Sequence, residues 1–248
     1  RSRKTRKSKS PSDLNPANRR SSSRHQFSET LRTVSSPKRG PDLAIWLILA
    51  GFAILAAGIM IGLPAFLRSQ EPYRFHGSHY YDSKVAPDFE LIGHHGKPVR
   101  LKDFTGKMVL LEFGFTHCPN ICPMELANTA AFYRKLTPEE REKVQVLFVT
   151  VDPERDTVEV LRDYVPFFDE SFIGLTGTPE QIEAVKKEYG VYAKQVPIPG
   201  KDDDYTVDHS AHMYILDPQH RLRVTYDHDR LGDAGPILED IRYLLNES

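Results

Sequence analysis

The 248-residue sequence contains two cysteines, and both lie in one short stretch, Thr116-His117-Cys118-Pro119-Asn120-Ile121-Cys122-Pro123. No cysteine remains for a structural disulfide elsewhere, so this pair is expected to do chemistry or to bind metal. A spacing of four places both side chains on one face where the chain turns helically. The apolar run Met108 to Phe115 leads straight into the pair, which puts it at a strand end opening a helix, where the helix N-terminus lowers thiol pKa. Both sulfurs are then expected as thiolates. Paired thiolates are soft donors that select Cu(I), and one neutral imidazole completes a three-coordinate site that also serves Cu(II).

That imidazole must come from elsewhere in the chain. His209, in Tyr205-Thr206-Val207-Asp208-His209-Ser210, precedes a strand beginning at Met213 and is the best third ligand. Asp208 is read in two ways, as the carboxylate that orients His209 or as a solvent-facing residue of an acidic loop. His117 sits beside a ligand but is expected to point away from it, and His212, His220 and His228 are given the same surface or orienting role. Pro119 and Pro123 are read as helix-opening residues that stiffen the loop.

The elements that must position these residues follow from periodicity. Met108 to Phe115 and Val144 to Val151 are nearly continuous apolar runs, the mark of strands covered on both faces. Helical spacing follows over Met124 to Leu136, Thr157 to Tyr164 and Pro179 to Tyr189, the last with Thr178 as its N-cap. Asp152 to Asp156 is assigned to capping the second of these helices. A short strand at Phe172 to Leu175, a hairpin of Met213 to Leu216 with Leu222 to Tyr226, and a helix over Pro236 to Leu245 complete the pattern. Parallel strands joined by helices, then an antiparallel pair and a closing helix, is the order of a thioredoxin-like α/β sandwich.

Charge and hydropathy divide the chain before that domain. Arg1 to Asp42 holds twelve Lys and Arg against three Asp and Glu, although the whole chain carries a net charge of only -1. Leu43 to Leu67 has no charged side chain, enough to cross about 30 Å of hydrocarbon as a single transmembrane helix. The expected organisation is a disordered basic arm (1–42), the membrane helix (43–67), a linker (68–85) that holds the domain off the bilayer, and the thioredoxin-like domain (86–248). The basic arm is read as topogenic charge rather than as a nucleic-acid-binding segment. The positive-inside tendency then exports the C-terminal domain, to the periplasm from a bacterial inner membrane or, alternatively, to the intermembrane space of a mitochondrion.

Three segments together, GFTHCPNICP at Gly114 to Pro123, TVDPERD at Thr150 to Asp156 and DYTVDHSAHMYILDP at Asp204 to Pro218, resemble the SCO/SenC family of copper proteins that serve cytochrome c oxidase assembly. The resemblance covers roughly Ala86 to the C-terminus. It implies copper binding by Cys118, Cys122 and His209, and a metallochaperone rather than an enzyme. The implied partners are a copper donor, the subunit of the oxidase that houses the CuA centre, and a thiol reductant, because an exported compartment tends to oxidise the pair that copper needs reduced.

The rival reading is a thiol-disulfide oxidoreductase that keeps oxidase or copper-site cysteines reduced, since fold alone does not decide function. Redox thioredoxins use a two-residue gap between the cysteines and a cis-proline facing them. Here the gap is three, and the facing loop reads His209-Ser210-Ala211-His212. A peroxidase, suggested by Pro87-Asp88-Phe89 and Gly114-Phe115-Thr116, ranks third because its nucleophile has no need of His209.

Overall fold

The apolar run at Met108 becomes strand β4 (Met108–Gly114), buried at all seven positions, and the second becomes β5 (Val144–Thr150), paired to it in parallel register. A computed structural model describes residues 42–69, 72–201 and 204–247, and the chain divides into two units, Arg1–Glu71 and Pro72–Ser248. The expected basic arm lies outside the described residues except for Asp42.

In the first unit the uncharged run forms one helix, α1 (Leu43–Ser69), of which Leu43–Pro64 is long and apolar enough to cross a membrane.

The second unit begins earlier than expected. The stretch assigned to a linker is docked on the domain from Tyr73 onward, and β1 (Ser78–His79) adds to the sheet edge. Asp240, fully buried, fastens this strap by accepting hydrogen bonds from the Tyr73 hydroxyl at 2.8 Å, from the Tyr226 hydroxyl and from the backbone N–H groups of His76 and Gly77. Tyr73 also stacks on Tyr243. No hydrophobic period marks this strap, because it is held by one buried carboxylate 160 and more residues away in sequence together with the single Phe75 ring packed on the core.

The remaining elements are β2 (Glu90–Gly93), β3 (Pro98–Arg100), α2 (Ile121–Tyr133), α3 (Pro138–Glu142), α4 (Val158–Tyr164), β6 (Ile173–Thr176), α5 (Pro179–Tyr189), β7 (Ala193–Pro197), β8 (Tyr205–His209), β9 (His212–Leu216), β10 (Leu222–Asp227) and α6 (Ala234–Glu247). Eight strands form one sheet in the order β1-β10-β9-β4-β5-β6-β2-β3, parallel only through β4, β5 and β6. This is the expected thioredoxin-like α/β arrangement, with the β2–β3 edge added.

Alternate residues of β4 serve two cores. Met108 and Leu110 pack with Leu126 and Ala130 of α2 and Ile237 of α6, while Val109, Leu111 and Phe113 pack with Ile182 and Val185 of α5. Each such side chain taken from water stabilises the fold by about 1.5–3 kcal/mol, so β4 is held firmly up to Gly114, where the cysteine loop departs.

Helix α2 begins three residues before its apolar period does. Its first turn contains Cys122 and Pro123, and proline is tolerated there because a first-turn N–H has no helical partner. Helix α5 starts at Pro179 on a capping box of Thr178 and Gln181, as its sequence indicates.

Candidate metal centre

Cys118 lies in the loop between β4 and α2, Cys122 in the first turn of α2, and His209 at the end of β8. Asn120, in the N-cap position, makes no capping hydrogen bond with its side chain. The Cys118 sulfur stands in its place, accepting from the Cys122 backbone N–H at 3.5 Å. A sulfur in that position faces the positive end of the helix. Cys118 is partly exposed, whereas Cys122 is 1% exposed and seated against Gly114, where a Cβ would come within 3.0 Å of its sulfur.

The two thiols do not titrate alike, contrary to the expectation of two thiolates. Hydrogen bonds from Cys122 and His209 and from the backbone N–H groups of Cys122 and Asn120 stabilise the Cys118 thiolate, lowering its pKa to about 3. The same partnership, with burial, pushes the Cys122 thiol up. The metal-free site therefore holds one thiolate and one thiol.

Cys122 Sγ is 3.3 Å from His209 Nε2, and His209 Nδ1 is 2.9 Å from the carbonyl oxygen of Ser210. A carbonyl can only accept, so Nδ1 carries a proton and Nε2 is the ring nitrogen turned toward the sulfurs. The orienting acceptor is thus the Ser210 backbone, and Asp208 is exposed. Ser210 is itself held by its N–H donating to the Tyr192 carbonyl and by its hydroxyl accepting from the Tyr192 N–H. The Phe115 ring lies edge-on to the imidazole, with centroids 5.7 Å apart.

Among the described residues, no three His, Cys, Asp or Glu side chains are already spaced around an ion. The three donors meet through hydrogen bonds, and a metal would replace those bonds and the Cys122 proton. Two sulfurs and one imidazole nitrogen, protected on one side by Phe115 and open at Cys118, fit a soft monovalent ion.

The four other histidines weighed in the sequence take structural or surface places. His117 is half-exposed, with Nδ1 3.1 Å from the Thr116 hydroxyl. His212 pairs with Asp227 at 2.8 Å, His228 opens a short 3-10 turn, and His220 is buried in the β9–β10 turn with φ of 57°.

Sequence reasoning missed Asp156. Helix α4 is capped by Thr157, whose side chain accepts from the Val160 N–H, and the Asp152 to Asp156 stretch does not cap it. Asp156 is fully buried instead, accepting from the Thr116 N–H at 3.0 Å, the Thr116 hydroxyl at 2.6 Å and the Thr150 hydroxyl at 2.6 Å. It ties the end of β5 to the start of the cysteine loop. Glu125 and Glu112 were missed too, because both fall in apolar stretches. They are buried behind the cysteines, and desolvation raises them to about 9 and about 7, with Glu112 accepting a hydrogen bond from Thr129.

Comparison with known proteins adds an independent line. The sequence profile of the SCO1/SenC family matches residues 78–246. The mitochondrial SCO2 homolog of Mus musculus is 44% identical over 156 residues, 62% of this chain and 60% of that protein. The chain spans between about half and three-fifths of the length of such curated relatives. Among solved structures, apo Sco1 from Thermus thermophilus is 39% identical with a TM-score of 0.63, covering 69% of this chain and 98% of that one. Arabidopsis thaliana ScoI with copper bound is 40% identical with a TM-score of 0.56, covering 64% and 99%.

Proposed function

This chain belongs to the SCO1/SenC family, and on that premise we propose that it is a membrane-anchored copper carrier, holding copper on Cys118, Cys122 and His209 and passing it to the CuA-bearing subunit of cytochrome c oxidase. The observation that carries this reading is the contact of Cys122 Sγ with His209 Nε2 at 3.3 Å, beside a Cys118 sulfur already stabilised as thiolate. Copper bound in the Arabidopsis relative supports the choice of metal.

Loading proceeds from one thiolate and one thiol. Cys118 donates first because it is deprotonated and partly exposed, Cys122 gives up its proton to solvent as it ligates, and His209 adds Nε2 without losing the Nδ1 hydrogen bond. With Cu(I) the charges are one positive and two negative, leaving the site with a single negative charge. Delivery is ligand exchange, with donors of the partner replacing these three in turn and no change of oxidation state.

The apolar helix α1 serves as the anchor, with the domain outside the cytoplasm. Bacterial inner membrane facing the periplasm is the proposed location, with the mitochondrial inner membrane as the alternative; relatives include mitochondrial proteins and a Bacillus anthracis lipoprotein. Copper-loaded chain incubated with the metal-free CuA-bearing subunit tests the proposal. Copper moving to that subunit is expected, and copper remaining on the carrier at equilibrium contradicts delivery.

One observation favours a second reading. A half-exposed thiolate beside a buried thiol is also the arrangement of an attacking and a resolving cysteine. An insulin-reduction assay separates the two: turnover lost with either cysteine but untouched by His209→Ala supports an oxidoreductase.

A further inference from the structure

The β7–β8 hairpin carries His209 but is not part of the main sheet; its two strands pair only with each other. An isolated two-stranded hairpin is marginally stable, so the position of His209 depends on what pins the hairpin to the domain. Two hydrogen bonds between Ser210 and Tyr192 close its base strand to strand. A pin to the rest of the domain is Arg155, from the β5–α4 loop.

Arg155 is mostly buried and, besides a longer contact to Asp204 at 3.5 Å, reaches three things at once. Its Nε donates to Asp152 at 2.6 Å, its Nη1 donates to the Tyr205 carbonyl on β8 at 2.7 Å, and its guanidinium lies 3.7 Å over the Tyr205 ring. The Tyr205 hydroxyl returns to the same Asp152 at 2.8 Å. On another side the guanidinium lies 5.9 Å from the centroid of Phe115, the ring that packs edge-on against His209. The next residue, Asp156, holds Thr116 by two hydrogen bonds. One short loop thus grips both segments that supply ligands.

We propose that Arg155 is a positioning residue for the third ligand: by clamping Tyr205 and backing Phe115, it holds the His209 imidazole over the cysteines. The inference rests on the copper-carrier reading above. Lysine cannot replace it, because a single ammonium lacks the planar fork that donates to Asp152 and to the Tyr205 carbonyl while lying flat on a ring.

The test is a double-mutant cycle on the full chain in detergent, reading Cu(I) affinity by competition with a chromophoric chelator. Arg155→Lys is the principal variant and Tyr205→Phe, which keeps the ring and removes the hydroxyl contacts to Asp152 and Glu154, is the milder second. With His209 present, Arg155→Lys should weaken Cu(I) binding about tenfold, the usual scale for losing an outer partner of a ligand. In a His209→Ala background the same change should alter affinity less than about twofold, because the residue it acts through is gone. Equal losses in both backgrounds, or no loss with His209 present, would overturn the proposal. In the metal-free chain, amide exchange at Val207 and His209 should rise in Arg155→Lys while the rate of Cys118 alkylation holds. If the wild type bound no copper, the carrier reading would fall, and unchanged exchange at those amides would then overturn the positioning role separately.

Discussion

Cys122 Sγ and His209 Nε2 lie 3.3 Å apart although 87 residues separate them in the chain. The contact joins the first turn of α2 to the end of a hairpin outside the main sheet, so it is sensitive both to the seat of the cysteine and to the pins of the hairpin.

The cysteine's seat is tested at Gly114. A Cβ there would meet Phe148 Cε2 at 2.8 Å and Cys122 Sγ at 3.0 Å. Gly114→Ala should destabilise the domain by about 1–3 kcal/mol, the usual cost of overfilling a packed interior, and weaken copper retention by displacing the sulfur. Urea unfolding followed by measurement of bound copper checks both effects.

The inequality of the thiols is tested by alkylation of the reduced, metal-free chain. A thiol near its ordinary value of 9.0 loses about tenfold in alkylation rate for each pH unit below it, because only the thiolate reacts. Cys118, held near 3, should react at a nearly constant rate from pH 8 down to pH 5, with Cys122 unreactive throughout. A tenfold fall per unit over that range would contradict the assignment.

Glu125 predicts a pH dependence of stability. Its carboxyl is raised from 4.5 to about 9, chiefly by desolvation, so the folded chain keeps a proton that the unfolded chain releases above about pH 4.5. Its contribution is fully present below that pH and is lost progressively as pH rises toward 9. Glu125→Gln removes the titration. Wild type should therefore lose urea resistance relative to the variant between pH 5 and pH 8, and parallel stability curves would contradict the prediction.

The docked strap predicts the effect of Asp240→Ala. Two tyrosine hydroxyls and two backbone N–H groups would lose their acceptor, which should cost at least about 2 kcal/mol and raise amide exchange at His76 and Gly77. Urea denaturation and exchange measured at those two amides check it.

These residues also mark what the sequence discloses and what it does not. The buried strands β4 and β5 and the capped helix α5 were legible because hydrophobic runs and capping boxes are local signals, and the placing of Cys118 and Cys122 followed from them. The pairing of His209 with the cysteines was legible through its place before the strand beginning at Met213, together with the need for a third donor. The β7–β8 hairpin that delivers the histidine was not, because Ala193–Pro197 is mostly exposed and carries no alternating pattern. Asp156 and Arg155 read as members of a capping segment for the same reason: their partners, Thr116 and Tyr205, lie 40 and 50 residues away. Of the two readings of Asp208 the exposed one holds, and the Ser210 carbonyl supports His209 instead; a backbone acceptor leaves no trace in residue type.

X-ray absorption at the copper edge of the Cu(I)-loaded full chain tests the proposed site most directly. Two sulfur scatterers and one nitrogen scatterer are expected in the wild type, with the nitrogen lost and both sulfurs kept in His209→Ala. A wild-type spectrum with sulfur alone, or one unchanged by His209→Ala, would contradict the three-ligand centre.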